Sequence, residues 1–144
     1  MSGNVIHRGP LGSHPRTVNL PVAGAYLPGT FVEETATQLA QITTAVAKRP
    51  LILSNMEFKD QDATTAYTSG DTGVAYELEP THVYQASMAA ATYAKGDELT
   101  VAASGRLAAA GTGDVVVAFF EDTPGAVAAG VLKDVIIANS YVAA

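Results

Sequence analysis

The sequence predicts a mainly β protein, an antiparallel β-sandwich or barrel (jelly-roll-like) that carries an extended N-terminal arm. Runs of four to seven β-prone residues fill its second half, and Gly, Pro, Asp and Ser punctuate them every ~8–12 positions. The first 29 residues instead hold four prolines and five glycines and show no helical period. We therefore divide the chain into an extended N-terminal arm, residues 1–29, and a β body, residues 30–144.

The body begins with two candidate strands and one ambiguous segment. Residues 30–34 predict a short strand, and the apolar run 51–53 predicts a buried one. Between them, the apolar residues of 35–49 have helical spacing, but the segment is rich in threonine and alanine. Helix and hairpin both remain open here, and the β-like flanks favour the hairpin.

The middle of the chain predicts a loop followed by a hairpin. Residues 57–73 are polar and rich in turn formers, which is typical of a surface loop. The segments 73–79 and 81–88 predict two strands of a hairpin that turns around Pro80. Three alanines at 89–91 predict a single helical turn.

The last fifty residues give the clearest β pattern. Turns at 96–98, 104–105, 111–114 and 121–125 separate the predicted strands, which are 99–102, 106–109, 115–120 and a long apolar strand centred on 135–138. Side chains alternate between the two faces of a strand, so we expect one set of alternate residues to point inward. That set is Val115, Val117, Phe119, Val135 and Ile137.

Composition excludes several classes of partner and site. Only 15% of residues are charged, well below the usual ~25%, and there is no cysteine for a disulfide or a thiolate zinc site. The net charge of −6 argues against nucleic acid, because phosphate contacts require clustered Lys and Arg. No apolar run approaches ~18 residues, so we expect no membrane span, and the polar start predicts no signal peptide.

The three histidines do not form a catalytic or metal-binding pattern. His7 and His14 are seven residues apart in the arm, which contains no acidic residue, whereas a helical metal pair needs about i, i+4 spacing. We expect both to be exposed or at an interface. His82, beside Tyr84, is predicted to be a half-buried strand residue.

The acidic residues also favour structural roles. Glu77 and Glu79 would share one face of a strand, and an alternating charged solvent face explains them better than a glycosidase carboxylate pair. Asp62 belongs to only a fragment of a calcium loop. Asp97 and Asp114 follow glycines in turns, where aspartate commonly accepts a backbone N–H. No nucleophile motif is present, and we predict no enzyme activity, no cofactor and no metal.

A series of short motifs carries a family resemblance. Six elements follow one another in this order: Lys95-Gly96-Asp97, a short strand, Ser104-Gly105-Arg106-Leu107, a glycine-rich turn, an apolar strand and Glu121-Asp122. Upstream, residues 26–33 and 67–71 fit the same pattern. This order resembles that of the small capsid decoration (cement) proteins of tailed bacteriophages, over about residues 27–142.

The resemblance implies a structural virion protein on the outer surface of a capsid, made in the host cytoplasm. It would bind the major capsid protein, cement neighbouring subunits and stabilise the head, as a homo-oligomer, either dimer or trimer. The alternative is a β-sandwich receptor- or glycan-binding module of a virion or cell surface. An enzyme ranks last, because no set of nucleophile, base and orienting residue is present.

We assign capsid binding to the arm. A proline- and glycine-rich arm stays ordered only where its own body or a neighbour holds it. Its apolar and basic residues are the candidates for that contact: Val5, Ile6, Arg8, Leu11, Arg16, Val18, Leu20 and Val22. We expect removal of residues 1–24 to leave the body folded and to weaken attachment to the shell.

Overall fold

The computed structural model describes residues 6–10, 12, 15–43, 49–56 and 61–143. These residues form thirteen strands and a single 3₁₀ turn, Ala103–Gly105. The strands are β1 (His7–Gly9), β2 (Thr17–Pro21), β3 (Phe31–Glu34), β4 (Leu39–Gln41), β5 (Leu51–Ser54), β6 (Thr72–Glu77), β7 (Val83–Ser87), β8 (Ala91–Tyr93), β9 (Glu98–Val101), β10 (Leu107–Ala109), β11 (Val115–Phe120), β12 (Gly125–Val127) and β13 (Leu132–Val142).

The strands build two principal sheets that pack against each other as a β-sandwich, as the sequence predicts. The six-stranded sheet has the order β1-β7-β13-β11-β9-β10, and the five-stranded sheet has the order β2-β6-β5-β3-β4. β8 and β12 form a separate two-stranded sheet. The pairings between these strands are antiparallel.

Two core clusters stabilise the sandwich. The main core cluster joins the sheets: Phe31, Ile52 and Tyr76 of the five-stranded sheet pack with residues of the six-stranded sheet such as Phe120 and Val135. The second core cluster includes Val22, Val32, Leu39, Leu51, Leu53, Met56, Tyr67 and Ala75. Alternate residues of β5 enter different clusters, so the five-stranded sheet is covered on both faces. This explains why the whole run 51–54 is buried.

One of the five predicted inward residues, Phe119, points outward because of a β-bulge. Val117, Val135 and Ile137 are buried in the main core cluster, and Val115 packs against it. Phe119 instead joins an outer cluster with Val116, Ala138, Ala143 and Ala110. The pairing of β11 with β13 shifts register between Val116, opposite Tyr141, and Ala118, opposite Ile137, so residues 138–140 of β13 face the single residue Val117. At this bulge the side-chain alternation of β11 changes phase, because Val117 and Ala118 both lie in the main core cluster. Ala118 and Phe120 therefore point inward, and the prediction for Phe119 is wrong.

The predicted hairpin around Pro80 is also wrong. β6 pairs with β2 and β5 in the five-stranded sheet, whereas β7 pairs with β1 and β13 in the six-stranded sheet. The turn at 78–82 therefore crosses from one sheet to the other. Each strand gains two neighbours in this way, whereas each strand of an isolated hairpin would have only one.

The remaining local predictions have mixed outcomes. β3 and β4 pair as a hairpin, which confirms the strand interpretation for the described part of 35–49, while residues 44–48 lie outside the described residues. The predicted helical turn at 89–91 is wrong, because Ala91 begins β8. Residues 61–71 form a loop as predicted, and residues 57–60 are not described.

Candidate functional site: the arm strands and the His7–His82 pair

The described part of the arm forms edge strands in both sheets of the body. β1 pairs with β7, with His7 opposite Tyr84. β2 pairs with β6 over its whole length, from Thr17 opposite Tyr76 to Pro21 opposite Thr72. The arm is therefore extended, and the chain's own body holds the described part of it in place.

The apolar residues of the arm pack inward. Ile6 is fully buried in the main core cluster and Val22 in the second core cluster, while Val18 and Leu20 pack against the second cluster and are partly buried. In this conformation the chain's own core covers both Ile6 and Val22, and the predicted capsid contact of the arm stays a prediction. Val5 and Leu11, the other two apolar candidates, lie outside the described residues.

The two arginines of the arm reach the surface. Arg8 Nε lies 3.5 Å from Asp134 Oδ1, and its side chain is 35% exposed. Arg16 Nε lies 3.2 Å from Glu77 Oε2, and its side chain is 83% exposed. Exposed ion pairs of this kind contribute only ~0–1 kcal/mol to stability, so both guanidinium groups remain available to a partner.

Glu77 ties the arm strand β2 to two other parts of the five-stranded sheet. Its Oε1 accepts a hydrogen bond from Arg49 Nη1 at 2.9 Å, and Arg49 Nη2 lies 3.4 Å from Glu34 Oε1. The prediction that Glu77 and Glu79 lie on a solvent-exposed face therefore fits Glu79, which is exposed, better than Glu77, whose side chain is only 15% exposed. Arg49 and Glu77 also line a cleft of about 300 Å³ that Ile137 and Ser140 border.

His7 and His82 meet below the surface, where β1 pairs with β7. Their exposed fractions are 4% and 9%, and His7 Nε2 lies 3.2 Å from His82 Nδ1. The His7 ring also makes an edge contact with Tyr84, at 5.2 Å between ring centroids. The predictions of an exposed or interface His7 and a half-buried His82 are thus wrong, and His14 is not described. The pair is 75 positions apart in sequence, so no motif spacing could reveal it.

The metal ligands available near this pair are few. Two imidazole nitrogens could face a common cation, but catalytic zinc sites use three protein ligands. Within the described ranges, no group of three or more His, Cys, Asp or Glu residues could hold a metal ion. Asp62, from the calcium-loop fragment, accepts hydrogen bonds from Thr64 and Thr65, and these bonds lower the pKa of its carboxyl group.

Three turns of the body share one hydrogen-bonded design. They span residues 68–71, 94–97 and 111–114, and each ends in Gly-Asp. In each, the Asp N–H donates to the carbonyl of the first residue at 3.0–3.1 Å, and the Asp carboxylate accepts the N–H of that residue at 2.8–3.1 Å. The glycine φ angles are +94°, +90° and +89°. This confirms the turn role predicted for Asp97 and Asp114.

No protein-family model matches the chain, and no curated protein matches its sequence. Over the part of the chain that the structure describes, no helix is long and apolar enough to cross a membrane.

Proposed function

We propose that this chain is a structural virion protein that binds the outer surface of a tailed-phage capsid and cements neighbouring major capsid protein subunits. One observation carries the proposal: the motifs that resemble those of capsid decoration proteins are the turns that set the geometry of the sandwich. Gly96 and Gly105 both have positive φ, at +90° and +64°, a conformation that glycine adopts without steric cost.

Gly105 shows how one of these motifs joins the two sheets. A Cβ atom added to it would lie 2.6 Å from Thr30 Cγ2 and 2.7 Å from the carbonyl oxygen of Phe31. Nearby, Gln41 Nε2 donates a hydrogen bond to the carbonyl of Ser104 at 3.0 Å. Position 105 of the Ser104-Gly105-Arg106-Leu107 motif therefore requires glycine, because the backbone there packs directly on β3 of the opposite sheet. A stiff connection between layers suits a protein whose role is mechanical.

The face of the arm gives the best candidate for the shell contact. Arg16, Thr17 and Asn19 are exposed at the β2 edge of the five-stranded sheet. An edge strand presents backbone N–H and C=O groups along its outer side. Arg16 would favour an acidic shell surface and would make attachment sensitive to salt. Symmetric positions on a capsid would favour a dimer or trimer, which light scattering on the isolated protein can measure.

The test uses shells assembled from the major capsid protein encoded in the same genome, without decoration protein. We expect the wild-type chain to co-sediment with these shells up to a fixed occupancy and to raise the temperature at which they disassemble. Arg16→Ala should reduce occupancy and weaken its dependence on salt. Lys95→Ala is the matched control, because Lys95 is also an exposed cation near one carboxylate, Glu121, at 3.9 Å. Absence of wild-type binding at every salt concentration would refute the proposal.

The binding-module alternative depends on exposed aromatic residues. Tyr67, Tyr76, Tyr84 and Tyr93 are all buried. Tyr141 is 40% exposed, with its ring 6.2 Å from that of Phe119, and its hydroxyl donates to Glu98 Oε2 at 2.5 Å. Binding of glycans on an array, lost in Tyr141→Ala, would favour this alternative over the capsid role.

A further inference from the structure

A cleft of about 370 Å³, separate from the one beside Arg49, is lined mainly by apolar residues. The lining includes Leu27, Pro28, Ala63, Val131 and Leu132. Leu27 and Val131 are 38% and 39% exposed, which is more than most large apolar side chains of this fold. Two exposed apolar side chains at one concave site offer surface that a ligand could cover.

Backbone hydrogen bonds hold two walls of this cleft in place. Gly29, which follows the lining residue at 28, donates its N–H to the carbonyl of Leu53 at 2.7 Å and accepts the N–H of Ser87 at 3.0 Å. This wall is therefore bonded to both principal sheets. The wall at residues 130–131 makes two backbone hydrogen bonds with Met88, at 2.8 and 3.1 Å. The cleft is thus formed by the fold itself, as ligand sites usually are.

The guanidinium group of Arg106 rests on the wall at Gly130. A Cβ atom added to Gly130 would lie 3.4 Å from Arg106 Nη2 and 3.9 Å from both Cζ and Nε. Arg106 is partly buried, and among the described residues it forms no ion pair, whereas Arg8, Arg16 and Arg49 each form one or more. A guanidinium group carries five N–H donors, and a carboxylate is the acceptor that matches their geometry.

The acidic side chain that adjoins the lining in sequence, Asp62, is bound within its own turn. Its Oδ1 accepts hydrogen bonds from Thr64 and Thr65 at 2.8–2.9 Å. The negative charge of Asp62 would repel a ligand carboxylate, and the positive charge of Arg106 would attract it. Charge complementarity therefore directs the anionic end of a ligand to the wall at Gly130.

We propose that this cleft is a docking site for a peptide segment of a partner protein in which an acidic residue follows an apolar one. The apolar side chain would lie between Leu27 and Val131, and the carboxylate would bind Arg106. At about 370 Å³ the cleft is close to the lower end of the usual ~300–1,000 Å³, so it suits a side chain better than a long acyl chain. The site is a property of the isolated chain and does not rest on the proposed capsid role.

The experiment is an NMR titration of the isolated, full-length protein with acetylated and amidated dipeptides. The peptide Leu-Glu carries both features, Leu-Gln lacks only the charge, and Ala-Glu lacks most of the apolar side chain. We expect Leu-Glu to shift the amide signals of Gly130 and Leu132 saturably and to leave those of β2 unchanged. Leu-Gln should bind roughly tenfold more weakly, because charge-assisted hydrogen bonds are the stronger ones. Ala-Glu should also bind more weakly, because it buries less apolar area.

Variants of the cleft make the test specific. Arg106→Gln should give Leu-Glu and Leu-Gln equal affinities, whereas Val131→Ala should weaken both and keep their ratio. If Arg106→Gln fails to fold, Arg106→Lys should reduce the ratio, since lysine lacks the fork of donors. Lys95→Gln removes an exposed cation elsewhere and should behave as wild type.

Three outcomes would overturn the site: no saturable shift in wild type, equal affinities of Leu-Glu and Leu-Gln for wild type, or a ratio that persists in both Arg106 variants. Tighter binding of octanoate than of Leu-Glu would also overturn it and would assign the cleft to an acyl chain. Absence of binding to undecorated shells would refute the capsid role and would leave the result of this titration unaffected.

Discussion

Replacing Gly113 by alanine isolates the energetic cost of one backbone conformation. Gly113 is the third residue of the 111–114 turn and has φ of +89°, and no atom lies within 4 Å of the position that a Cβ would occupy. A left-handed backbone costs about 1–2 kcal/mol in a residue with a side chain. Alanine also restricts the backbone of the unfolded chain, and this effect stabilises the folded state by about 0.4–1 kcal/mol relative to glycine. We therefore expect Gly113→Ala to lower the free energy of unfolding by about 1 kcal/mol, or roughly 4 °C in melting temperature.

Gly111→Ala, in the same turn, is the matched control. Gly111 lies outside the positive-φ region, and its added Cβ would meet only Asp114 Oδ2, at an ordinary contact distance of 3.5 Å. This substitution should leave stability unchanged or raise it by up to about 1 kcal/mol. Urea unfolding of both variants, with unchanged m-values, measures the difference. Equal midpoints for the two variants would refute the assignment of the cost to the backbone of Gly113.

Three further predictions concern the whole domain. Burial raises the pKa of both Tyr67 and Tyr84 to about 12, so stability should fall as pH rises from about 10 toward 12; an unfolding midpoint that is flat over this range would contradict it. Excess chelator should leave the melting temperature unchanged, and a fall of many degrees would reveal a metal site. Removal of residues 1–24 should destabilise the body, contrary to the expectation from composition. The truncation deletes β1, β2 and two buried side chains, Ile6 and Val22, whose burial stabilises the fold by about 1.5–3 kcal/mol each. An unfolding midpoint of the truncated chain equal to that of wild type would contradict this.

The strands of the body could be predicted because their signals are local. β5 is an uninterrupted apolar run, and β11 and β13 are long apolar segments between glycine-containing turns. The partner of each strand could not be predicted, because pairing depends on contacts between distant residues. The bulge between β11 and β13 illustrates this limit: alternation in sequence places Phe119 inward, and only the register with β13 places it outside.

The candidate site was less accessible to sequence reasoning than the fold. Proline and glycine predict an extended arm, and the described part is extended. Pro21 ends β2 at the edge of its sheet, which is where a strand tolerates a residue without an N–H. Composition therefore could not distinguish an edge strand of the body from a free arm. The His7–His82 contact joins two strands that are remote in sequence, so no periodicity or motif anticipates it.

The placement of the arm strands bears on how a shell-bound cement protein would carry load. β1 connects through β7 to β13, and β2 connects through β6 to β5, so the arm is hydrogen-bonded to both sheets. β6 and β7 are consecutive strands in different sheets, and they join the same two layers a second time. A pull on the arm would therefore be shared between the layers and would not peel one sheet from the other. Under the proposed capsid role, Ile6 and Val22 serve as internal anchors, and alanine at either position should weaken shell attachment without any contact to the shell.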